Sequence, residues 1–161
     1  MTLLSGAGMS AESGVPTFRD VETGLWANVD PYEISSSDGW QRHPERVWAW
    51  YLWRHYMMSA VEPNAGHLAV AAWEDYAEVH VVTQNVDNLH QESGVPDDKV
   101  IELHGNAHYA RCLACGSRHE FSEFREGFLE RGEIPMCRVC GGLVKSATIS
   151  FGQAMPQDQM D

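Results

Sequence analysis

Basic side chains are scarce in this sequence. Its 161 residues include two lysines, Lys99 and Lys145, and the Lys+Arg total of 11 stands against 23 Asp+Glu. The formal net charge of −12 excludes the basic footprint that nucleic-acid binding requires. A basic peptide or cationic tail suits such a field better. Long apolar runs are missing too. None approaches the roughly 20 residues of a membrane-spanning helix, so no membrane partner is expected. No basic, then apolar, then small-residue leader opens the chain, which makes the cytoplasm the expected compartment. Internal repeats and low-complexity stretches are absent. What remains is 43% hydrophobic and 21% charged, an ordinary globular composition. The length is ample for one domain and short for two.

Cysteine is confined to four positions in two C-x-x-C pairs, Cys112/Cys115 and Cys137/Cys140, with 21 residues between them. Such knuckles read as one tetrahedral Zn²⁺ site, because each turn presents two thiolates to the same ion. Glycines follow closely (Gly116; Gly141 and Gly142), and backbone N–H groups in such turns lower thiol pKa. The alternative is a pair of disulfides in a secreted domain, which the missing leader disfavours. A closed Cys₄ site keeps no open position, so the metal is structural. His108 and His119 flank the first pair and are expected at the surface, since four sulfurs already fill the site.

Periodicity gives a coarse map. Met1–Leu4 reads as a strand, followed by Gly6-Ala7-Gly8 and a short helical segment that stops at Gly14. Val15 to about Gln41 reads as a long loop, a length usually tied to function. Pro44 to about Ser59 reads as a helix with Val47, Tyr51, Arg54 and Met58 on one face. A second helix is expected from Asn64, its cap, to Tyr76. Glu78–Thr83 reads as a buried parallel strand by its valines, Lys99–Leu103 as another short strand, Ser122–Arg131 as an amphipathic helix, and Ala147–Phe151 as a last strand. Strands alternating with helices imply an open α/β sheet. In such sheets ligands sit beyond the carboxyl ends of the strands, where this chain places Gly6-Ala7-Gly8, Gln84-Asn85-Asp87 and His104.

Each cluster has a chemical reading beside a plainer one. Gly6-Ala7-Gly8 with Ser10, and with Ala11 at the third glycine position, can hold a pyrophosphate on backbone N–H groups; a chance glycine turn is the alternative. The acidic ribose-binding residue of a standard dinucleotide fold is not evident, which disfavours hydride transfer. Asn85 and Asp87 can grip a carboxamide, or else make an Asx turn or cap the next short helix. His104 is a candidate general base, or a hydrogen-bonded structural residue. Arg54 with Tyr51 suits a small anionic group through paired donors, or Arg54 extends from the core edge to solvent.

Together these stretches resemble the sirtuins, NAD-dependent protein-lysine deacylases. The matching runs are Gly6 through Arg19, Thr83-Gln84-Asn85-Val86-Asp87-Asn88-Leu89-His90, Leu103-His104-Gly105, the two cysteine pairs, and Phe151-Gly152, in the family's order over nearly the whole chain. The resemblance implies a Rossmann-like parallel sheet with a small domain of zinc ribbon plus helical module. On that reading residues 1–107 and 145–161 form the NAD-binding domain, a helical module of about 28–77 is inserted, and 108–144 is the ribbon. It implies that Gly6, Ala7, Gly8, Ser10, Ala11 and Glu12 contact NAD, with Phe18 and Arg19 over nicotinamide and ribose. Gln84 would touch the ribose, and Asn85 and Asp87 would line the nicotinamide pocket. His104 would be the general base, and Ile149, Phe151 and Gly152 would flank the acyl-lysine channel, where substrate protein adds as a strand. In the family reaction the acyl oxygen attacks ribose C1′, nicotinamide leaves, and free lysine and O-acyl-ADP-ribose follow.

Tyr51-x-x-Arg54, with Thr17, resembles the desuccinylase/demalonylase branch, which implies succinyl- or malonyl-lysine as substrate, with acetyl-lysine as a further one. Ser5, Gln153 and Ser146-Ala147-Thr148 depart from the family's common residues near the loop and channel. The chain also stops ten residues after Phe151, without the Gly-Thr-Ser loop and the Asn that bind ribose and phosphate. The expectation is an incomplete sheet lacking its C-terminal half, with weak or absent NAD affinity and inactivity as one outcome. A second reading, from another class, is a non-catalytic zinc-ribbon interaction fragment that keeps only the family's surfaces.

Overall fold

The computed structural model describes residues 1–17 and 30–154. Phe18 and Arg19, expected near nicotinamide and ribose, lie outside the described residues. Two three-stranded sheets organise the chain. The first joins β1 (Thr2–Ser5), β2 (His80–Thr83) and β3 (Val100–Glu102), all parallel, in that order. Parallel pairing demands crossovers, and helices provide the one between β1 and β2. The sheet's valines explain its burial: Val79, Val81 and Val100 pack with Val70 and Val95 in one cluster.

The second sheet is antiparallel. Its central strand β4 (Gly105–Cys112) pairs with β5 (Arg118–Glu120) on one side and β6 (Val144–Thr148) on the other. The last strand therefore lies at Val144–Thr148 rather than Ala147–Phe151, and it pairs with β4 instead of extending the parallel sheet. Hydrogen bonding decides this, since Gly105, Ala110, Arg111 and Cys112 all find partners on that strand.

The expected loop from Val15 to Gln41 contains two helices, α1 (Pro31–Ser35) and α2 (Ser37–Arg42). Their signals are short-range. Asp30 caps Tyr32 N–H, Pro31 opens the first turn, and Ser36 caps Gly39 N–H. Caps and a first-turn proline nucleate helices too short to show a periodic face. Helix α3 (Pro44–Ser59) occupies its expected span, and Val47, Tyr51, Arg54 and Met58 are all buried. Asn64 caps α4 (Ala65–Ala72) by accepting from the N–H groups of Gly66 and His67. Helices α5 (Leu89–Glu92) and α6 (Ser122–Arg131) complete the set.

The largest core joins α3 to the antiparallel sheet. Trp48 packs edge-on against Phe121 and Phe124, and its indole N–H donates to the Val144 carbonyl at 3.2 Å. Val47, Tyr51, Cys112, Cys137 and Val144 belong to the same cluster. Burying one such side chain contributes roughly 1.5–3 kcal/mol, so helical module and ribbon are held as one body. A smaller cluster of Val15, Met58, Val86, Leu89 and Ala107 connects that body to the parallel sheet. Among the described residues no helix is long and apolar enough to cross a membrane.

Candidate functional site

The carboxyl ends of β1 and β2 turn into polar loops that are fastened to one another. After β1, residues Ala7–Ser13 form a 3₁₀ helix that ends at Gly14. The Asn85 amide, just past β2, donates to the Gly6 carbonyl at 2.9 Å and to the Ser10 hydroxyl at 3.2 Å. Ser10 in turn donates to one Asp87 oxygen at 2.6 Å, while the other accepts the Leu89 N–H at 3.0 Å. One of the two plainer expectations holds: Asp87 forms an Asx-type turn just ahead of α5, whose N-cap is Asn88 and carries no side-chain cap bond. Asn88 makes this possible by adopting a left-handed φ of 66°, which asparagine tolerates better than most residues.

Packing among the described residues does not require glycine at Gly6 or Gly8. Neither has a left-handed φ, and a Cβ at either would meet nothing within 4 Å. Their missing side chains leave clearance above backbone N–H groups, as a phosphate lying on the loop needs. Ala11 and Glu12 are exposed on the same short helix.

Below this loop lies a polar layer that residue spacing did not reveal. The Ser5 hydroxyl donates to Thr83 at 2.9 Å and lies 2.8 Å from His90 Nε2. His67 Nε2 approaches the Ser10 hydroxyl at 3.4 Å, and the two imidazoles are 5.1 Å apart. Burial holds His67 below its ordinary range and, together with His67, pushes His90 down to about 4. Both rings are neutral at neutral pH. The signal available in the sequence was the cap at Asn64, whose capping box uses His67.

His104 follows β3 and is exposed. Its Nδ1 lies 3.1 Å from the Gln84 carbonyl. A carbonyl only accepts, so Nδ1 carries a proton, and in the neutral imidazole Nε2 then keeps its lone pair. The Ile149 N–H donates to the His104 carbonyl at 2.9 Å. Gly105 permits this approach: its φ is +77° and a Cβ would fall 2.0 Å from the Ala147 carbonyl oxygen. His104, Gln84 and Ile149 are therefore brought together, with Asn85 adjoining.

Tyr51 and Arg54 lie apart from the loop, between α3 and β6. The Arg54 Nη2 donates to Ser146 and Thr148 hydroxyls at 2.9 and 2.8 Å. At 5% exposure Arg54 does not extend to solvent, and its buried Nε has no partner among the described residues. Among the described residues no carboxylate pairs with it. Burial lowers Arg54 to about 10 and raises Tyr51 to about 12, so the phenol is neutral and keeps its O–H. Phe151 and Gly152 follow at the surface. The Phe151 N–H donates to the Ser35 carbonyl at 2.7 Å and its ring meets Tyr32 at 5.5 Å. A cleft of about 660 Å³ borders β3, β4 and β6, with Lys145, Ser146, Thr148, Ile149 and Gln153 on its wall.

All four cysteines are free, and their sulfurs lie within 4.8 Å of one another. The Cys112 and Cys140 sulfurs are 3.5 Å apart, and those of Cys115 and Cys137 are 3.7 Å apart. Zn–S bonds of about 2.3 Å in a tetrahedron require sulfurs about 3.8 Å apart. The donor set therefore fits Zn²⁺, with no disulfide. Backbone N–H groups of Ala114, Cys115 and Val139 point at sulfur. Gly142 is needed here, since a Cβ would press on Cys112 and Cys140 sulfurs at 3.2 and 3.3 Å. His119 corrects the surface expectation. It is 4% exposed, its Nε2 lies 3.3 Å from the Cys137 sulfur, and Nδ1 faces Glu123 at 3.4 Å. Packing of the ring on Phe124 holds it inside the ribbon.

Comparison with known proteins gives a consistent picture. The model of the Sir2 family matches residues 6–161. The chain is 58% identical over 158 residues to the NAD-dependent protein deacylase Sir2 of Mycolicibacterium smegmatis, covering 97% of this chain and 64% of that protein. It is 53% identical over 160 residues to the NAD-dependent protein deacylase of Mycobacterium tuberculosis, covering 98% and 66%. Among solved structures, a Sir2 homolog–NAD complex superimposes with a TM-score of 0.82 at 37% identity, over 99% of this chain and 60% of the other. The chain thus spans somewhat less than two thirds of the length of these relatives.

Proposed function

The chain belongs to the Sir2 family, and from that premise we propose that the protein is an NAD-dependent protein-lysine deacylase, acting on succinyl- and malonyl-lysine in preference to acetyl-lysine. One observation carries the enzymatic part. The open glycine loop, the buried Asn85 and Asp87, and a histidine with a free Nε2 sit at the carboxyl ends of neighbouring parallel strands. Ligands of α/β sheets bind at such ends.

The residues divide the task by chemistry. Gly6, Ala7 and Gly8 hold the phosphates on backbone N–H groups, with Ser10, Ala11 and Glu12 continuing that wall. Gln84 meets the ribose, and Asn85 and Asp87 face the carboxamide. NAD supplies an electrophilic ribose carbon and nicotinamide as leaving group. His104 takes a proton at Nε2 because Nδ1–H is committed to the Gln84 carbonyl. Ile149, Phe151 and Gly152 receive the acylated lysine of a protein substrate. The Cys₄ zinc is structural and holds the ribbon that carries β6.

The acyl preference rests on Arg54. Among the described residues, a buried guanidinium whose partners are two hydroxyls and the Tyr51 ring face at 5.7 Å, with an orphan Nε, lacks the counter-charge that buried cations usually have. A carboxylate at the end of a succinyl or malonyl group provides one, and neutral Tyr51 adds an O–H donor. The test is nicotinamide release from NAD with succinyl-, malonyl- and acetyl-lysine peptides of one sequence. Release stimulated by the first two above the third supports the reading; equal stimulation by all three, or none, counts against it.

A further inference from the structure

We propose that Lys145 is a second cation of the acyl pocket, acting with Arg54 to select acyl groups that end in a carboxylate. This rests on the reading of Arg54 just given and extends it to a residue outside the Tyr51/Arg54 pair.

Lys145 is one of two lysines in the chain and only 6% exposed. Its ammonium donates to the Thr148 carbonyl at 2.6 Å and to the Gln153 side-chain oxygen at 3.2 Å. Both acceptors are neutral, and among the described residues no carboxylate pairs with it. Arg54 donates to the hydroxyl of the same Thr148. The two cationic heads therefore converge on one residue, from its carbonyl and from its side chain. Strand alternation sends Lys145 out on the side opposite Ser146 and Thr148. Its stem then turns so that the head reaches the carboxyl end of β6, beside Ile149 and the 660 Å³ cleft.

Two like charges that bond to the same residue oppose each other. Burial and Arg54 both push the Lys145 ammonium down, to about 8. Neither cationic head has a carboxylate partner among the described residues, in a chain whose net charge is −12. Buried charges are ordinarily paired. Gln153 emphasises the point, because its amide accepts from Lys145 and from the Ser150 N–H without neutralising the charge. The group that fits is an anion entering with the substrate, small enough to reach both heads and fixed to the acyl chain.

A plainer role is available: Lys145 clamps the Ser150–Gln153 turn, which also has a backbone bond from Gln153 N–H to the Ser150 carbonyl. A clamp affects every acyl-lysine peptide equally, whereas a second cation affects only those ending in a carboxylate.

The deciding experiment is fluorescence anisotropy of labelled succinyl-lysine and acetyl-lysine peptides of one sequence, titrated with the full chain and with Lys145→Met, Lys145→Arg and Arg54→Met. Circular dichroism confirms that each is folded. Lys145→Met is expected to weaken succinyl-peptide binding by about tenfold or more and leave acetyl-peptide binding unchanged, while Lys145→Arg retains most of the succinyl affinity. Equal loss for both peptides, or loss for neither, overturns the proposal. If Arg54→Met abolishes the succinyl preference and Lys145→Met does not, the Arg54 pocket stands and the Lys145 assignment falls. If the unmodified chain binds succinyl-peptide no more tightly than acetyl-peptide, the pocket itself and this extension of it both fail.

Discussion

Ser10 donates its hydroxyl proton to the Asp87 carboxylate at 2.6 Å, across 77 positions of sequence. That bond, with the Asn85 amide on the Gly6 carbonyl, fixes the glycine loop to the end of the second strand. The same side chains assigned to the nicotinamide pocket therefore also shape the loop that meets the phosphates. Replacing Ser10 with Ala leaves one oxygen of a buried carboxylate without its partner. The expected cost is about 1–3 kcal/mol of stability, read as a lower midpoint in urea unfolding, together with weaker NAD binding by calorimetry. An unchanged midpoint and unchanged binding would contradict this role for the pair.

Acid should loosen the same region. His90 titrates near 4 in the folded protein because of burial and the neighbouring His67, against about 6.5 when unfolded. The unfolded state therefore binds the proton first as pH falls. The stabilisation from a neutral His90 is complete above about 6.5 and is lost progressively down to about 4. A difference of that size corresponds to roughly 3 kcal/mol. Urea unfolding across this window is expected to show stability falling with pH, and His90→Gln, which keeps an amide toward Ser5, is expected to flatten the slope. An equally steep slope in the variant would assign the acid sensitivity elsewhere.

Zinc removal should be felt in α3 as well as in the ribbon. Cys112 and Cys137 share a core with Trp48, whose indole N–H also bonds the Val144 carbonyl. Chelation is expected to release one zinc per chain, expose four thiols to Ellman's reagent and abolish much of the near-ultraviolet circular dichroism. Four thiols that react fully before chelation, with the circular dichroism unchanged afterwards, would contradict a structural Cys₄ site.

Arg54→Met separates function from stability. A buried, uncompensated cation is a poor stabiliser, and an apolar side chain of similar length is often tolerated or preferred. The variant is expected to unfold at the same or a higher temperature. Its kcat/KM on succinyl-peptide is expected to fall by about tenfold to a hundredfold, mostly through KM, with the acetyl rate unchanged. Equal losses on both substrates would mean that Arg54 supports the fold and not acyl choice.

Sequence patterns disclosed what depends on spacing and strand ends. The four cysteines, the α3 face carrying Tyr51 and Arg54, the Asn64 cap and the position of His104 after β3 all follow from local rules. Helices α1 and α2 were illegible because each is under two turns long, too short for a periodic face, and their caps resemble loop residues. The His67–His90 layer and the His119–Cys137 contact were hidden for another reason. They join residues 23 and 18 positions apart through tertiary packing, and a lone histidine gives no sign of its burial. The burial of Lys145 depends on β6 pairing with β4, which its own segment does not announce.

The central claim is that the glycine loop, Asn85, Asp87 and His104 form one site that breaks the bond between nicotinamide and ribose when an acylated lysine is present. The most direct measurement is release of nicotinamide from NAD, at concentrations that saturate a weak site, with and without succinyl-lysine peptide. Peptide-dependent release with the native chain, matched by loss of the succinyl group and lost in His104→Ala, is the expected result. No peptide-dependent release at any NAD concentration, or release undiminished in His104→Ala, would contradict it.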